Sequence, residues 1–232
     1  MQTTVSFAHY CNRQAASRAA AERLAALLGK DLEHQDTASL VVSGGSTPET
    51  CFDLLSEAAL DWAGVTIVPS DERWVPAADP SSNEGLIRRR LLRGKAGAAR
   101  LLPLYRPGLE AAAAPAAVER DLRALVQPFS AVLLGMGADG HFASLFPDFE
   151  DLPQAVDPDA KTQCVVVHTA GSPFLRISLT LAALVKTPQI ALLFFGDEKR
   201  AVFEAAAGGD ARLPVAALLA QEAVPVAVLW AP

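Results

Sequence analysis

The segment Ala131-Val-Leu-Leu-Gly-Met-Gly-Ala-Asp-Gly-His141 passes from an aliphatic run straight into a glycine-rich turn. Four consecutive aliphatic residues, Ala131–Leu134, predict a strand buried on both faces, as in a parallel sheet covered by helices. The turn matches the G-x-G-x-x-G pattern of dinucleotide-binding folds, which also needs a sustained helix after its third glycine. Pro147 limits any such helix to a turn or two, so we reject a nicotinamide cofactor.

Short apolar runs alternate with longer amphipathic stretches along the rest of the chain, which predicts alternating strands and helices. The expected strands lie near Thr4–Phe7, Ser39–Val42, Val65–Val68, Ala131–Leu134, Val165–His168, Ile190–Phe195 and Val224–Leu229. The expected helices cover Arg13–Leu28 (stopping at Gly29), Glu84–Leu92, Ala116–Val126, Leu179–Val185 and Glu198–Ala207, with another starting at Thr47 and Pro48. We therefore predict one α/β domain over residues 1–232, with a doubly wound, mainly parallel, Rossmann-like sheet flanked by helices.

The composition narrows the functional classes. With 232 residues, 51% of them hydrophobic, the chain can bury a core of its own, and its net charge of −6 argues against binding to nucleic acid or anionic membranes. An anionic ligand would therefore need a local positive site. Three widely spaced cysteines and the lack of a signal peptide or long apolar run favour a cytoplasmic protein. The sequence leaves open whether it is a monomer or a homodimer.

The turn after the strand ending at Val42 has the composition of a phosphate-binding loop. It reads Ser43-Gly-Gly-Ser-Thr-Pro48, and a helix is expected to follow. Gly44 and Gly45 allow backbone N–H groups to approach a ligand, Ser46 and Thr47 add hydroxyl donors, and a helix N-terminus favours negative charge. Ser46 with Glu49 also fits the capping-box pattern, so an ordinary helix cap remains an alternative.

A second polar cluster, Asp71-Glu72-Arg73, follows the expected strand Val65–Val68. Adjacent charges are often only a solvated ion cluster. In an open parallel sheet, however, ligands bind beyond the carboxyl ends of the strands, which is where this cluster is expected. We therefore treat Asp71 and Arg73 as candidate site residues.

Asp139 and His141 stand two residues apart in the glycine-rich turn, so a carboxylate and an imidazole can face one ligand. Isolated histidines such as His9 and His34 are more simply structural. His168, at the end of another expected strand, is a weaker candidate for the same site.

Two cations further along the chain complete the set of candidates. Arg176 and Lys199 each follow an expected strand and are expected to open a helix, where a cation is unfavourable beside the positive end of the helix dipole. A bound anion would remove that conflict.

These motifs together resemble those of the 6-phosphogluconolactonase family, related in fold to the glucosamine-6-phosphate deaminases and isomerases. The resemblance spans nearly the whole chain. It rests on Ser43–Pro48, Asp71–Pro76, Ser82–Glu84, Gly135–Pro147, Arg176–Ser178 and Gly196 with Lys199. Asp148 and Gln189 depart from the family pattern, as does the short stretch before Arg176, and these differences concern the rim of the pocket.

The resemblance implies hydrolysis of 6-phospho-D-glucono-1,5-lactone to 6-phospho-D-gluconate in the oxidative pentose phosphate pathway, without a metal or organic cofactor. Such a reaction needs a base, a stabiliser for the oxyanion and an anchor for the phosphate. We assign His141 as general base, Asp139 as a residue that helps to orient and polarise the site, and Arg73 as oxyanion stabiliser. Asp71 is a rival base, suggested by the related deaminases. The predicted substrate-binding residues are Gly44, Gly45, Ser46, Thr47, Asn83, Arg176 and Lys199, and Lys199 could also serve the oxyanion.

The sequence also leaves other functions open. An amino-sugar phosphate deaminase would use the same scaffold and would release ammonia from glucosamine 6-phosphate. A sugar-phosphate sensor normally carries a DNA-binding segment, and only about ten residues precede the first expected helix, too few for a helix-turn-helix. A serine acyl-enzyme mechanism is disfavoured because no G-x-S-x-G motif is present.

Overall fold

The computed structural model describes residues 5–232, which form two sheets and eight α-helices. The strands are β1 Val5–His9, β2 Ala38–Val42, β3 Val65–Pro69, β4 Asp71–Arg73, β5 Arg100–Leu101, β6 Ala131–Leu134, β7 Cys164–Val167, β8 Arg176–Leu179, β9 Ile190–Phe195 and β10 Val226–Ala231. The helices are α1 Arg13–Gln35, α2 Glu49–Leu55, α3 Asn83–Arg90, α4 Ala114–Arg123, α5 Leu152–Ala155, α6 Leu181–Leu184, α7 Asp197–Ala207 and α8 Val215–Ala220. Short 3₁₀ turns lie at Trp62–Gly64, Gly94–Ala98 and Ala111–Ala113.

The main sheet has seven strands in the order β1-β10-β9-β6-β2-β3-β5, and every neighbouring pair is parallel. Successive residues of a strand point to opposite faces, so each strand contributes side chains to the two hydrophobic cores, one on each face of the sheet. Leu40 and Leu133 pack with α1 and α2 on one face, whereas Val41 and Val132 pack with α4 and α7 on the other. This three-layer arrangement confirms the predicted α/β class.

The site lies where the direction of the chain across the sheet reverses. From β2 the chain moves to its neighbour β3 on one side, and from β6 it returns to the main sheet as β9 on the other side. The carboxyl ends of β2 and β6 therefore flank a crevice, which is the usual ligand position in an open parallel sheet.

A second sheet, β4-β8-β7, is antiparallel, and its strands β4 and β8 contribute residues to the lining of this crevice. The predicted strand near Val165–His168 belongs to this small sheet as β7. Arg176 was expected to open a helix, which is wrong, because it is the first residue of β8 and pairs across the ladder with Arg73. The charged segment Asp71–Arg73 is likewise a strand.

Several boundaries also differ from the prediction, including that of α6, which begins at Leu181 because Leu179 ends β8. Helix α1 does not stop at Gly29 but continues to Gln35, and the chain leaves it at Asp36 with a φ of 56°. A side chain at Gly29 would point towards Leu60, which lies in the segment after α2. Of the predicted strand Thr4–Phe7, Thr4 lies outside the described residues and β1 begins at Val5. None of the helices in residues 5–232 has the length and apolar character to cross a membrane.

Candidate active site

A cavity of about 230 Å³ opens at the carboxyl ends of β2 and β6. It brings together ten of the eleven predicted site residues: Gly44, Gly45, Ser46, Thr47, Asp71, Arg73, Asn83, His141, Arg176 and Lys199. Asp139, the eleventh, lies in the adjoining depression and contacts His141. His168 is exposed at the end of β7 and does not line the cavity, so that weaker candidate is wrong.

The loop Ser43–Pro48 presents backbone and hydroxyl groups to the cavity. Gly45 has a φ of 82°, which favours glycine, and a side chain at Gly44 would overlap Asn83. Helix α2 has Pro48 as its N-cap and no side-chain cap, so the capping-box interpretation of Ser46 is wrong. Within residues 5–232 the hydroxyls of Ser46 and Thr47 have no hydrogen-bond partner, and both residues line the cavity. They are available to a ligand.

The three side chains of strand β4 point in two directions, two towards the cavity and one away from it. Because side chains alternate along a strand, Asp71 and Arg73 line the cavity while Glu72 points away beneath α3. Glu72 is fully buried and accepts hydrogen bonds from the backbone N–H groups of Arg73, Asn83 and Glu84 and from the Ser82 hydroxyl, at 2.6–2.9 Å. Burial raises the pKa of Glu72, and these four donors oppose that effect. Glu72 thus fixes β4 to the N-terminus of α3.

The hydrogen bonds of Glu72, which we call the Glu72 clamp, hold Asn83 against Arg73. The Asn83 side chain donates to the Asp71 carbonyl at 2.8 Å and accepts from Nη1 of Arg73 at 2.7 Å. Nη1 also donates to the Ser81 carbonyl at 2.8 Å. Over the described part of the chain, Nη2 of Arg73 makes no hydrogen bond. Arg73 is therefore held by one nitrogen and keeps another for a ligand.

Asp71 is almost completely buried and is hydrogen-bonded on both carboxylate oxygens. Ser70 donates to Oδ1 at 2.9 Å, and Ser144 donates to Oδ2 at 2.5 Å. Nη1 of Arg176 lies 3.8 Å from Oδ2. Desolvation lowers the pKa of Arg176, and the charge of Asp71 acts in the opposite direction. A carboxylate already engaged by two hydroxyls and a cation is poorly placed to accept a further proton from water.

His141 is positioned by the glycine-rich turn. Gly137 N–H donates to the His141 carbonyl at 2.9 Å, and a side chain at Gly137 would overlap both the imidazole and the Asp139 carboxylate. The imidazole Nδ1 lies 2.5 Å from Oδ1 of Asp139. Partial burial acts to raise the pKa of Asp139, but the hydrogen bond and charge attraction with His141 outweigh it, and the pKa falls below its ordinary value.

Lys199 stands in the first turn of α7, as predicted, and faces the same cavity. Desolvation lowers its pKa, although the nearby charges of Asp139 and Glu198 act to raise it. Arg73, Arg176 and Lys199 thus bring three cations to one cavity of a chain with a net charge of −6. Like charges opposite each other on paired strands, as Arg73 and Arg176 are, are unfavourable without an anion between them.

Three side chains that support this site were not among the predicted site residues: Glu72, which was noted only as part of the charged cluster, Ser144 and Phe146. The position of Glu72 between Asp71 and Arg73 is a usable signal, since strand alternation turns it away from its neighbours. Ser144 and Phe146 give no such signal, because their contacts with Asp71 and Arg176 arise only from the tertiary fold.

Comparison with known proteins agrees with this geometry. A family model described as glucosamine-6-phosphate isomerases/6-phosphogluconolactonase matches residues 11–230. The chain is 41% identical to a 6-phosphogluconolactonase of Mesorhizobium japonicum, over 92% of this chain and 90% of that protein. It is 38% identical to one of Pseudomonas aeruginosa, over 93% and 90%. The crystal structure of a 6-phosphogluconolactonase from Shewanella baltica superposes with a TM-score of 0.93 at 35% identity, over 100% of both chains.

Proposed function

The chain belongs to the family of glucosamine-6-phosphate isomerases and 6-phosphogluconolactonases, and we propose that it hydrolyses 6-phospho-D-glucono-1,5-lactone to 6-phospho-D-gluconate in the oxidative pentose phosphate pathway. The observation that carries this proposal is the pairing of His141 with Asp139 at a cavity that also holds three cations. A base beside a strong anion site is what a phosphorylated lactone requires.

The first step is deprotonation of water. With Nδ1 of His141 bonded to Asp139, Nε2 takes a proton from water as its oxygen attacks the lactone carbonyl carbon. The carbonyl oxygen becomes an oxyanion, which Arg73 stabilises through its unengaged Nη2. Collapse of this intermediate breaks the bond to the ring oxygen, which receives the proton from His141. The product acid then ionises, so one proton is released for each turnover.

We place the phosphate in the same cavity, against the loop after β2. The N–H groups and hydroxyls of Gly44, Gly45, Ser46 and Thr47 surround it, and Arg176 and Lys199 supply positive charge. Asn83 orients the sugar and Arg73, whereas Asp71 places a negative charge 3.8 Å from Arg176. Over the described residues, no three His, Cys, Asp or Glu side chains form a cluster suited to a metal ion. We propose that catalysis needs neither metal nor organic cofactor.

We propose that the protein acts in the cytoplasm and that residues 1–232 form one domain, in a monomer or homodimer. Its partner is a small phosphorylated ligand, and neither nucleic acid nor a membrane takes part. Cys51 and Cys164 are buried and Cys11 is exposed, and none of the three is in a disulfide. Burial raises the pKa of Cys51 to about 12. Its thiol therefore stays protonated and unreactive.

The test is a paired assay in the presence of a chelator. One arm follows acid production from freshly generated 6-phosphogluconolactone above the spontaneous rate, and the other follows ammonia release from glucosamine 6-phosphate. We expect acceleration in the first arm only. Ammonia release without lactone hydrolysis would assign the chain to the deaminase branch, and activity lost to the chelator and restored by one metal ion would overturn the cofactor-free mechanism.

A further inference from the structure

The chain turns back on itself directly after His141. Leu145 N–H donates to the Phe142 carbonyl at 3.0 Å, and Ala143 between them has a φ of 49°. Non-glycine residues rarely adopt this left-handed conformation, so the packing of Phe142 and Leu145, both fully buried, enforces it. The reversal brings the ring of Phe146 back against His141.

Phe146 contacts both the proposed base and the proposed phosphate ligand. Its ring centroid lies 4.3 Å from that of His141, with an angle of 39° between the planes. The Cζ atom of Arg176 lies over the same ring, 5.1 Å from its centroid. One half-buried aromatic ring, which lines the adjoining depression, thus contacts both residues.

The polar contacts of Arg176 are too long to fix its orientation. Nη1 is 3.8 Å from Asp71 and 3.5 Å from Ser144, and Nε is 3.4 Å from Ser172. Hydrogen bonds of that length are weak. The ring face attracts the guanidinium through its quadrupole and favours contact over the ring. For His141, Asp139 holds one edge of the imidazole and the ring limits its rotation.

We propose that Phe146 is a positioning residue that fixes the guanidinium of Arg176 and the imidazole of His141 relative to each other. The distance between bound phosphate and activated water is thereby set by a side chain that performs no chemistry. The inference rests on the roles proposed above for His141 and Arg176.

The experiment compares Phe146→Leu with Phe146→Tyr, which keeps the ring face. The control is Phe149→Leu, the same change three residues away at a side chain that is 7% exposed and, among the described residues, has no aromatic or cationic partner. For each variant, kcat and KM for 6-phosphogluconolactone, Kd for inorganic phosphate and Tm are measured. Should Phe146→Leu fail to fold, Phe146→Met is judged by the same criteria.

Phe146→Leu should weaken phosphate binding and raise KM by roughly 2- to 30-fold, the range of cation–π contacts from exposed to desolvated sites. It should also lower kcat, since His141 loses its packing. Phe146→Tyr should restore all three values, and Phe149→Leu should lower only Tm. In an Arg176→Ala background, Phe146→Leu should leave Kd for phosphate unchanged.

The inference is overturned if folded Phe146→Leu keeps the wild-type constants, if Phe149→Leu loses as much, or if tyrosine does not restore them. Phosphate binding needs no turnover. A wild-type protein that hydrolyses no lactone would therefore refute the proposed function, while the phosphate Kd values would still decide whether Phe146 positions Arg176.

Discussion

The Nδ1 atom of His141 lies 2.5 Å from Oδ1 of Asp139. An ionised carboxylate can only accept hydrogen bonds, and the lowered pKa of Asp139 keeps it ionised. The proton of a neutral imidazole is therefore on Nδ1, and the lone pair of Nε2 is left to take a proton from water. Asp139 thus selects the tautomer in which His141 can act as a base.

Replacing Asp139 with Asn tests this selection. An amide can present its NH₂ group to Nδ1 and favour the tautomer in which Nε2 already carries the proton. We expect Asp139→Asn to lower kcat by about 10²- to 10⁴-fold, the usual contribution of a positioned base, with little change in the Kd of 6-phosphogluconate. Measurement of kcat and product affinity decides this. A variant with nearly wild-type kcat would show that the pair does not control the tautomer.

Removing the guanidinium of Arg176 should affect phosphorylated substrates selectively. Loss of a charge-assisted contact costs about 1.5–3 kcal/mol, so Arg176→Ala should raise KM for 6-phosphogluconolactone far more than for unphosphorylated gluconolactone. Arg212→Ala is the matched control, because Arg212 is exposed, pairs with Asp210 and does not line the cavity. Equal effects of Arg176→Ala on both substrates would refute the assignment.

The lowered pKa of Lys199 should make phosphate binding weaken at alkaline pH. Desolvation lowers its pKa, so as the pH rises Lys199 loses its proton before an ordinary lysine does. Affinity for 6-phosphogluconate should be highest while Lys199 is charged and should fall as the pH rises. The midpoint of this fall should lie at a pH below the pKa of a free lysine, which is roughly 10.4. Lys199→Arg should move this fall to higher pH, since arginine stays protonated. The same alkaline decline in both proteins would assign it to another group.

Glu72 lies outside the cavity, and we expect its substitution to affect stability. Its four donors meet a carboxylate, which accepts all of them, whereas Gln would turn an NH₂ group towards at least one. We expect Glu72→Gln to lower the free energy of unfolding by about 1–3 kcal/mol, as measured by urea denaturation, although it removes a buried charge. Glu204→Gln, at an exposed i,i+4 pair with Arg200, should change it by about 0.5 kcal/mol or less. A Glu72→Gln protein as stable as the wild type would contradict the clamp.

The sequence predicted those parts of the fold that have a strong local pattern. The run Ala131–Leu134 forms a strand with the predicted bounds, and the glycine-rich turns after β2 and β6 line the cavity. The family, the α/β class and the sheet type are confirmed. The small antiparallel sheet was not predicted, because β4 is only three charged residues long and β8 looked like the start of a helix. Their pairing depends on partners distant in sequence.

The site shows the same division between local and tertiary signals. Residues in the turns after strands were predicted because such turns converge at one edge of the sheet. The environment of Arg176 was misjudged, since the helix-dipole argument does not apply to a strand residue. Its contacts with Ser144 and Phe146 depend on the reversal at Ala143, which no sequence pattern marks.

We propose that His141 activates water for the hydrolysis of a phosphorylated lactone. The most direct measurement is the rate of acid production from freshly generated 6-phosphogluconolactone, corrected for spontaneous hydrolysis, for the wild type, His141→Ala and Asp71→Ala. We predict acceleration by the wild type, a fall in kcat of about 10²- to 10⁴-fold for His141→Ala with product affinity retained, and a smaller fall for Asp71→Ala. A wild-type rate equal to the spontaneous rate would contradict the proposed hydrolysis. A His141→Ala protein that keeps its kcat while Asp71→Ala loses it would contradict the assignment of His141 as the base.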